Sequence, residues 1–255
     1  MTRYCRYVLH GETRWGVLDD EHIEPLDGSP LEGPAATGAR ITLSSVQLLP
    51  PCLPSKILGV GTNYRAHAQE MGKPIPDEPL LFMKPPSALV GHGQPIVRPA
   101  GSWRVDFEGE LAVIMGRRAR RVREAEALDH VFGFTVCNDV TVRDLQKKDG
   151  QFTRAKGFDS FCPVGPWVTV GLDPSNLRVR TWQNGALKQD STTGDLIFSV
   201  ARVIEVASRV MTLEPGDVIT TGTPSGVGPI APGDVIEIEV EGIGRLSNPV
   251  VEETP

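Results

Sequence analysis

The chain has 255 residues and a formal net charge of −6 at neutral pH, with 40% hydrophobic and 23% charged residues. This composition is typical of a globular protein that buries a large core, and it excludes a disordered chain. The acidic balance argues against nucleic acid as a partner, because phosphates attract basic surfaces. The 27 glycines and 22 prolines predict many short elements separated by turns, which favours a β-rich architecture.

The cysteines and the N-terminus indicate where the protein works. None of the four cysteines forms a C-x-x-C pair or clusters with histidines at zinc spacing, so we expect buried, reduced thiols: Cys5, Cys52, Cys137 and Cys162. The first residues lack the apolar core of a signal peptide, and no apolar run is long enough to span a membrane. We therefore expect a cytoplasmic protein with no membrane partner.

The first fifty residues resemble a small unit of their own. Apolar alternation over 4–9 and 15–18, with turn residues between them, predicts a β-hairpin. The proline-rich stretch 49–54 reads as a linker, because proline removes backbone donors and restricts its neighbours. The predicted domains are a small N-terminal β-rich unit with its linker, 1–54, and a main domain, 55–255.

The elements of the second domain follow from hydrophobic periodicity and turn signals. We predict a strand over 56–60, a helix over 64–71 with Asn63 as its N-cap, irregular extended chain over 82–90, a strand over 105–115, a helix over 124–131, strands over 132–139 and 164–170, and a helix over 195–211. Near the C-terminus Ile236, Ile238 and Val240 alternate with acidic residues, which predicts a strand with one buried face.

Carboxylates cluster on the strand predicted over 105–115. Because side chains alternate in a strand, Asp106, Glu108 and Glu110 share one face and repel one another unless a cation lies between them. Asp139 ends the next strand and could supply a third oxygen ligand beside Glu108 and Glu110. The pattern fits either a solvated strand end or a site for a hard divalent cation such as Mg²⁺ or Mn²⁺.

His67 and Glu70 lie three residues apart on the helix predicted over 64–71. This spacing brings both side chains to one face, where a carboxylate can orient an imidazole as a general base. The alternative is a surface ion pair worth a few tenths of a kcal/mol.

Two further segments have less specific patterns. The glycine-rich stretch 221–228 lacks the lysine of a phosphate-binding P-loop, although its amides could hold a substrate carboxylate. The five arginines between 117 and 123 suggest an anion-binding patch, but a solvated loop is the better interpretation in an acidic protein.

Taken together, these segments resemble the fumarylacetoacetate hydrolase family from residue 56 to the C-terminus. The resemblance rests on six motifs in this order: GVGTNY at 59–64 followed by His67 and Glu70, FMKPPS at 82–87, DFEGEL at 106–111, NDVTVRDLQ at 138–146, KGFD at 156–159 and TGTPSGVG at 221–228. It implies a mainly β, α+β fold, a mixed β-sandwich roll with the small N-terminal β-rich domain, in a homodimer.

The resemblance also implies roles for residues. Mg²⁺ or Mn²⁺ would be held by Glu108, Glu110 and Asp139, and Lys156 would lie beside the metal. His67 and Glu70 would form a catalytic dyad on a lid-like helix. The residues implied to bind substrate are Tyr64, Arg143, Gln146 and Thr223.

Family members act on small 2-oxo or 2-enol acids, often β-diketo compounds from aromatic degradation, and a bound metal would stabilise the enolate that forms. The resemblance therefore predicts hydrolysis of a C–C bond, isomerisation or decarboxylation of such an acid. The alternatives are an oxaloacetate decarboxylase-type lyase and a non-catalytic protein that binds metal or a small acid. The substrate side chain is not readable from the loops expected to line the pocket, 73–78 and 147–152.

Overall fold

The computed structural model describes residues 1–101 and 103–254, which form mostly strands and a few short helices. The strands are β1 (Thr2–Leu9), β2 (Glu12–Asp19), β3 (His22–Leu26), β4 (Ile41–Thr42), β5 (Gln47–Leu49), β6 (Ile57–Gly61), β7 (Leu80–Lys84), β8 (Leu89–Val90), β9 (Ile96–Arg98), β10 (Val105–Phe107), β11 (Gly109–Met115), β12 (Val131–Asn138), β13 (Thr141–Val142), β14 (Cys162–Val170), β15 (Arg178–Gln183), β16 (Ala186–Thr192), β17 (Val218–Thr220), β18 (Gly228–Pro229), β19 (Val235–Val240) and β20 (Gly244–Glu252).

The helices are short. The α-helices are α1 (Arg65–Glu70), α2 (Arg143–Asp149), α3 (Thr153–Lys156) and α4 (Val200–Val210). Turns of 3-10 helix occupy Pro30–Glu32, Leu43–Ser45, Pro86–Ala88, Glu124–His130, Pro174–Asn176 and Thr193–Asp195.

Three sheets organise these strands. The largest runs in the order β4-β3-β2-β1-β14-β12-β11-β17-β6-β7, with β5 also on β1 and β8 on β14. A five-stranded sheet runs β16-β15-β19-β20-β9, and a small one runs β13-β10-β18. The N-terminal hairpin β1–β2 has the predicted place and a two-residue turn, His10-Gly11. Its first strand pairs with β14, so the N-terminal strands extend the main sheet.

The core lies between the large sheet and the five-stranded sheet. Strands β11, β12 and β14 pack against β15, β19 and β20, and the enclosed side chains are aliphatic and aromatic. On β19 Ile236, Ile238 and Val240 are buried and the glutamates between them are half-buried, as the alternation predicts. The predicted fold class, mainly β with α and with a β-rich N-terminus, is confirmed.

The prediction of one unbroken strand over 105–115 is wrong at Glu108. The chain leaves the small sheet after Phe107 and joins the large sheet at Gly109. At the break the Glu108 amide donates to the side-chain oxygen of Asn138 at 2.9 Å instead of to a neighbouring strand. Hydrophobic patterning could not reveal this, because both halves are buried and the ladder bond is replaced by a side chain.

Three helix predictions also need correction. Tyr64, not Asn63, precedes α1, because the Asn63 amide group bonds to the backbone of Phe198 and Thr221 instead of capping the helix. The helix predicted from residue 195 begins at Val200, where the Ser199 hydroxyl caps it. Asp195 instead ends a turn of 3-10 helix, and Leu196 forms a β-bridge with Tyr64. The helix predicted over 124–131 is a 3-10 helix.

All four cysteines are buried and free. The Sγ atoms of Cys137 and Cys162 are 3.7 Å apart, which is not a disulfide distance. Within residues 1–101 and 103–254, no helix has the length and apolar character needed to cross a membrane.

Candidate functional site

Three carboxylates meet at the sheet-switching point. Glu108 occupies the break before β11, and Glu110 follows on that strand. Asp139 comes directly after β12, which pairs with β11. The Asp139 amide donates to the Glu108 carbonyl at 2.9 Å. One oxygen from each side chain lies within 4.8 Å of the others. All three residues are buried, with Glu110 and Asp139 1% exposed. The structure thus favours an enclosed cluster over a solvated strand end.

Two buried lysines balance part of this charge. Lys156 at the end of α3 donates to Glu108 Oε2 at 2.8 Å and also bonds to Asp139. Lys84 at the end of β7 donates to the other Asp139 oxygen at 2.6 Å. Asp139 therefore has a lysine on each oxygen, which holds its carboxylate plane in place.

Arg143 at the start of α2 supplies the third cation. Its guanidinium contacts Glu108 at 2.6 Å and Asp106 at 2.8 Å. Asp106 is also paired with Arg104 and is held away from the three-carboxylate cluster. Gln146, one turn along α2, accepts from Arg143 at 3.1 Å. Arg143 therefore links Asp106, Glu108 and Gln146 in one network.

Glu110 is the carboxylate without a cationic partner in the described part of the chain. Among residues 1–101 and 103–254, the Gly222 amide is the one hydrogen-bond donor to it, at 2.8 Å. Burial raises the pKa of Glu110 well above its ordinary value, and Asp139 and Glu108 raise it further. Burial also acts to raise the pKa of Glu108, but Lys156 and Arg143 outweigh it and hold that pKa below its ordinary value.

The donor set fits a hard divalent cation. Three carboxylate oxygens converge, and one of them belongs to Glu110, which forms no ion pair with any residue that the structure describes. Mg²⁺ and Mn²⁺ prefer such oxygen ligands and neutralise like-charge repulsion. Glu108, Glu110 and Asp139 are therefore the residues that could hold the metal.

The predicted histidine–glutamate pair is present on α1. His67 Nδ1 lies 3.0 Å from Glu70 Oε2, and the other Glu70 oxygen accepts from the Gly226 amide at 2.9 Å. Because a carboxylate only accepts, Nδ1 carries the hydrogen, and Nε2 of a neutral ring is left to accept a proton. His67 is 7% exposed and lines the same small cavity as Glu108 and Glu110.

The two remaining predicted substrate residues are differently placed. Thr223 lines the small cavity, but its hydroxyl donates to the Gly109 carbonyl at 3.0 Å and accepts from Gln189 at 2.8 Å. Tyr64, directly before α1, is buried, and its hydroxyl has no hydrogen-bond partner among the described residues. Burial raises the pKa of Tyr64, with Glu110 adding to the effect.

The site is closed and lies beside a larger cleft. The cavity at the carboxylates measures about 20 Å³, whereas the adjoining cleft measures about 540 Å³. The side chains that line both are Met71, Lys73, Arg143, Gln146 and Phe152. A larger hollow of about 830 Å³ lies beside Trp167 and Arg245, and none of the predicted site residues lines it.

Sequence reasoning assigned no role to three residues that shape the site. Lys84 pairs with Asp139, Asn138 replaces the missing ladder bond, and Gln189 connects Gly109 to the loop 221–228. The position of Lys84, a lysine at the end of the apolar run 80–83, could have indicated its role. No local pattern marks the other two, since their partners are distant in sequence.

Models of known protein families match this chain. The sequence model of the fumarylacetoacetate (FAA) hydrolase C-terminal domain matches residues 56–251. A second model, Rv2993c-like, N-terminal, matches residues 2–51. These two matches cover nearly the whole chain.

Solved structures and curated relatives are similar over most of their length. A 2-hydroxyhepta-2,4-diene-1,7-dioate isomerase from Mycobacterium marinum is 43% identical, with a TM-score of 0.93 and full coverage of both chains. The maleylpyruvate hydrolase from Sphingobium sp. SYK-6, solved with manganese(II) and pyruvate, is 34% identical, with a TM-score of 0.83, 99% of this chain and 100% of that one. Oxaloacetate tautomerase YisK from Bacillus subtilis is 44% identical over 82% of this chain and 74% of its own.

Proposed function

The chain belongs to the fumarylacetoacetate hydrolase family, and on that premise we propose that it is an Mg²⁺- or Mn²⁺-dependent enzyme acting on a small 2-oxo or 2-enol acid. The step shared by the candidate reactions, namely hydrolysis, isomerisation and decarboxylation, is proton transfer at the carbon next to the 2-oxo group. One observation carries the proposal: His67, whose ring is held by Glu70, lines one enclosed cavity together with the carboxylates of Glu108 and Glu110. A base and a cation site so close together suit the formation of an enolate.

Each residue has a task in this mechanism. When bound at Glu108, Glu110 and Asp139, the cation would polarise the 2-oxo oxygen as a Lewis acid. His67 takes the proton through Nε2, and Glu70 holds the ring in that tautomer. Lys156 places a positive charge where negative charge develops.

Arg143 and Gln146 border both the site and the cleft, and we assign them contacts with the substrate carboxylate. Tyr64 and Thr223 stay candidate substrate residues. For Thr223, contact with substrate requires its hydroxyl to exchange a present partner.

Enolate formation leads to several outcomes, and relatives differ in which they complete. Their names include an isomerase, a hydrolase and an oxaloacetate tautomerase. We propose C–C bond hydrolysis or isomerisation/decarboxylation in aromatic degradation as the overall reaction. Oxaloacetate tautomerisation or decarboxylation is the second candidate, supported by the identity to the Bacillus relative. A non-catalytic acid-binding role is less well supported, because it does not require the His67–Glu70 pair.

The proposal predicts metal-dependent proton exchange. Oxaloacetate and 2,4-dioxo acids are incubated in D₂O with protein and Mn²⁺, and deuterium uptake at the carbon beside the 2-oxo group is followed by NMR together with product formation. We expect exchange above the protein-free rate with Mn²⁺ and none above it with EDTA. His67→Ala should lower exchange by about a hundredfold or more, the usual contribution of a general base.

Glu108→Gln should abolish Mn²⁺ binding in calorimetry, while the exposed Glu252→Gln should retain it. Exchange that survives EDTA would contradict the metal-dependent mechanism. Stoichiometric Mn²⁺ on the Glu108 variant would contradict the ligand assignment. Loss of hydrolysis with retained decarboxylation in His67→Ala would limit the pair to water activation.

We also propose a cytoplasmic homodimer without nucleic-acid partners. Family resemblance supports the dimer, and four buried, free cysteines support a reducing compartment. The arginines at 117–123 support the absence of nucleic-acid partners, because Arg118 and Arg123 pair with glutamates and Arg120 donates to backbone carbonyls. Light scattering would measure the dimer, and elution from heparin at low salt would exclude the nucleic-acid role.

A further inference from the structure

Asp106 is a buried carboxylate beside the site that is not one of the three converging on a common point. It lies in the middle of β10, and its side chain is 0% exposed. Its oxygens accept from two arginines: Oδ1 from Arg104 at 2.9 Å, and Oδ2 from Arg104 at 3.1 Å and from Arg143 at 2.8 Å. Because both oxygens are engaged by guanidinium groups, Asp106 can act on the site only through those groups.

The Arg143 guanidinium is held on two of its three nitrogens. Its Nε donates to Asp106, and Nη1 donates to Gln146 Oε1 at 3.1 Å. Nη2 lies 2.6 Å from Glu108 Oε1, but it is buried and not aligned for a hydrogen bond with any residue that the structure describes. A buried donor in this state calls for an acceptor, and a carboxylate is the acceptor that suits a guanidinium best.

This edge of Arg143 faces space that a ligand can occupy. Arg143 and Gln146 line both the closed cavity and the adjoining cleft of about 540 Å³, and Asp106 lines the cleft. The guanidinium is planar and rigid, so fixing Nε on Asp106 also fixes the direction of the N–H groups on Nη2. Asp106 therefore determines the angle at which Arg143 meets a ligand.

Strand β10 also fixes the backbone that carries Arg143. Two residue pairs join β10 to β13, and the Arg143 amide donates to the Arg104 carbonyl at 2.8 Å. In return the Arg104 amide donates to the Asp144 carboxylate at 2.6 Å. The start of α2 is therefore attached to β10 by its backbone, and the Asp106 side chain adds a separate attachment at the guanidinium.

We propose that Asp106 is the positioning residue for Arg143, holding its Nε so that Nη2 is kept for the carboxylate of the bound acid. The inference rests on the proposed function and adds the residue that orients its carboxylate contact. Without the charge of Asp106, Glu108 is the carboxylate that still contacts Arg143. The guanidinium then turns toward Glu108, since a buried cation is stabilised by pairing, and its N–H groups lose their alignment with the ligand.

Asp106→Asn tests this, because asparagine keeps the shape of the side chain and removes its charge. Calorimetry measures Mn²⁺ binding to the metal-free protein and pyruvate binding to the Mn²⁺-loaded protein. We expect pyruvate affinity to fall by about tenfold or more, the effect of losing one charge-assisted hydrogen bond. Mn²⁺ affinity should fall much less. KM for oxaloacetate should rise more than kcat falls, since the carboxylate contact is present in the ground state as well as in the transition state.

Two further variants separate the orientation of Arg143 from the attachment of α2. Asp144→Asn makes the same chemical change in a residue that accepts from the Arg104 amide, and it should leave pyruvate affinity and KM unchanged. Arg143→Lys has no Nε to orient, so it should lower pyruvate affinity on its own. Adding Asp106→Asn to Arg143→Lys should then lower pyruvate affinity no further, because the two residues act as a unit.

Equal effects of Asp106→Asn and Asp144→Asn, additive losses in the double variant, or equal losses of Mn²⁺ and pyruvate affinity would each overturn the inference and leave the proposed function intact. If Asp106→Asn does not fold, a crystal structure of the wild type with Mn²⁺ and pyruvate decides. Arg143 should donate from Nη2 to the pyruvate carboxylate while Nε stays on Asp106, and pyruvate bound without this contact would contradict the inference. If the wild type binds neither Mn²⁺ nor pyruvate and does not turn over oxaloacetate, both proposals fail.

Discussion

At the scale of single residues, the three clustered carboxylates are not equivalent. Asp139 is held by Lys84 and Lys156, whereas Glu110 has one backbone donor and no cation in the described chain. A buried charge that loses its partner is costly, while a buried charge without a partner is already a cost to the metal-free fold. The same chemical change at the two positions should therefore have opposite effects.

Glu110→Gln should leave the metal-free protein as stable as the wild type or more stable, and weaken Mn²⁺ binding by about a hundredfold or more. Asp139→Asn should also weaken Mn²⁺ binding, but it should lower the free energy of unfolding by about 3 kcal/mol, because Lys84 loses its carboxylate partner and Lys156 loses one of two. Urea unfolding in EDTA and calorimetry with Mn²⁺ measure both effects. Equal destabilisation by the two substitutions would contradict this account.

The raised pKa of Glu110 gives the first variant a pH signature. At a pH between the ordinary pKa of Glu110 and its higher pKa in the folded protein, Glu110 is protonated in the folded state and ionised in the unfolded state. In this pH range a rise in pH therefore destabilises the metal-free protein. Glu110→Gln removes that contribution. Its stability advantage should therefore be larger at about pH 8 than at about pH 5 in EDTA.

At the scale of elements, the switch of sheets at Glu108 is stabilised from the opposite sheet. Gln189 on β16 accepts from the Gly109 amide at 3.0 Å and from the Thr181 hydroxyl at 2.7 Å. Its amide nitrogen donates to the Thr223 hydroxyl and to the Pro224 carbonyl, each at 2.8 Å. One buried side chain thus ties the glycine between two ligand residues to the loop 221–228.

The close approach of Thr181 and Gln189 also requires a glycine at position 109. A Cβ at this position would collide with the Thr181 hydroxyl, and its φ is not in the left-handed region. The glycine therefore allows close approach of β15 and β16 to the ligand strand, and does not provide a turn.

Gln189→Met keeps the side-chain volume but removes four buried hydrogen bonds, those with Gly109, Thr181, Thr223 and Pro224. We expect the free energy of unfolding to fall by at least about 2 kcal/mol and Mn²⁺ affinity to fall with it, because Glu108 and Glu110 lose a fixed spacing. Urea unfolding and calorimetry measure the two quantities. Lys188→Met, on the exposed neighbouring residue, is the control. Unchanged Mn²⁺ affinity in a destabilised variant would restrict Gln189 to a structural role.

At the scale of the whole molecule, the N-terminal strands and the main body share one sheet. Strand β1 pairs with β14 through Thr2, Arg3 and Tyr4, and Trp167 packs against the apolar cluster of the N-terminal strands. Neither observation decides whether 1–54 and 55–255 fold separately, so that division stays a prediction.

Removing residues 1–54 tests it. Deletion opens the edge of β14 and exposes the face that packs on β1, so we expect a lower melting temperature and aggregation on concentration. Differential scanning calorimetry and light scattering follow both. A monodisperse 55–255 fragment with the melting temperature of the full chain would show instead that the second domain folds alone.

The fold class, most strands and the family could be predicted from the sequence, because these depend on local spacing, such as the alternation in β19 and the motifs around Glu108. The residues of the site stay predictions from the same kind of pattern, and the structure contains the i, i+3 pair expected on α1. The tertiary structure alone decided the rest. The break at Glu108 depends on Asn138, and the start of α4 depends on the bridge between Leu196 and Tyr64. Glu110 and Asp139 differ in their charged partners because Asp139 pairs with two lysines, which lie 55 and 17 residues away in the sequence. Such contacts join residues far apart in the chain, and their energies exist only where folding brings the partners together in a water-poor interior.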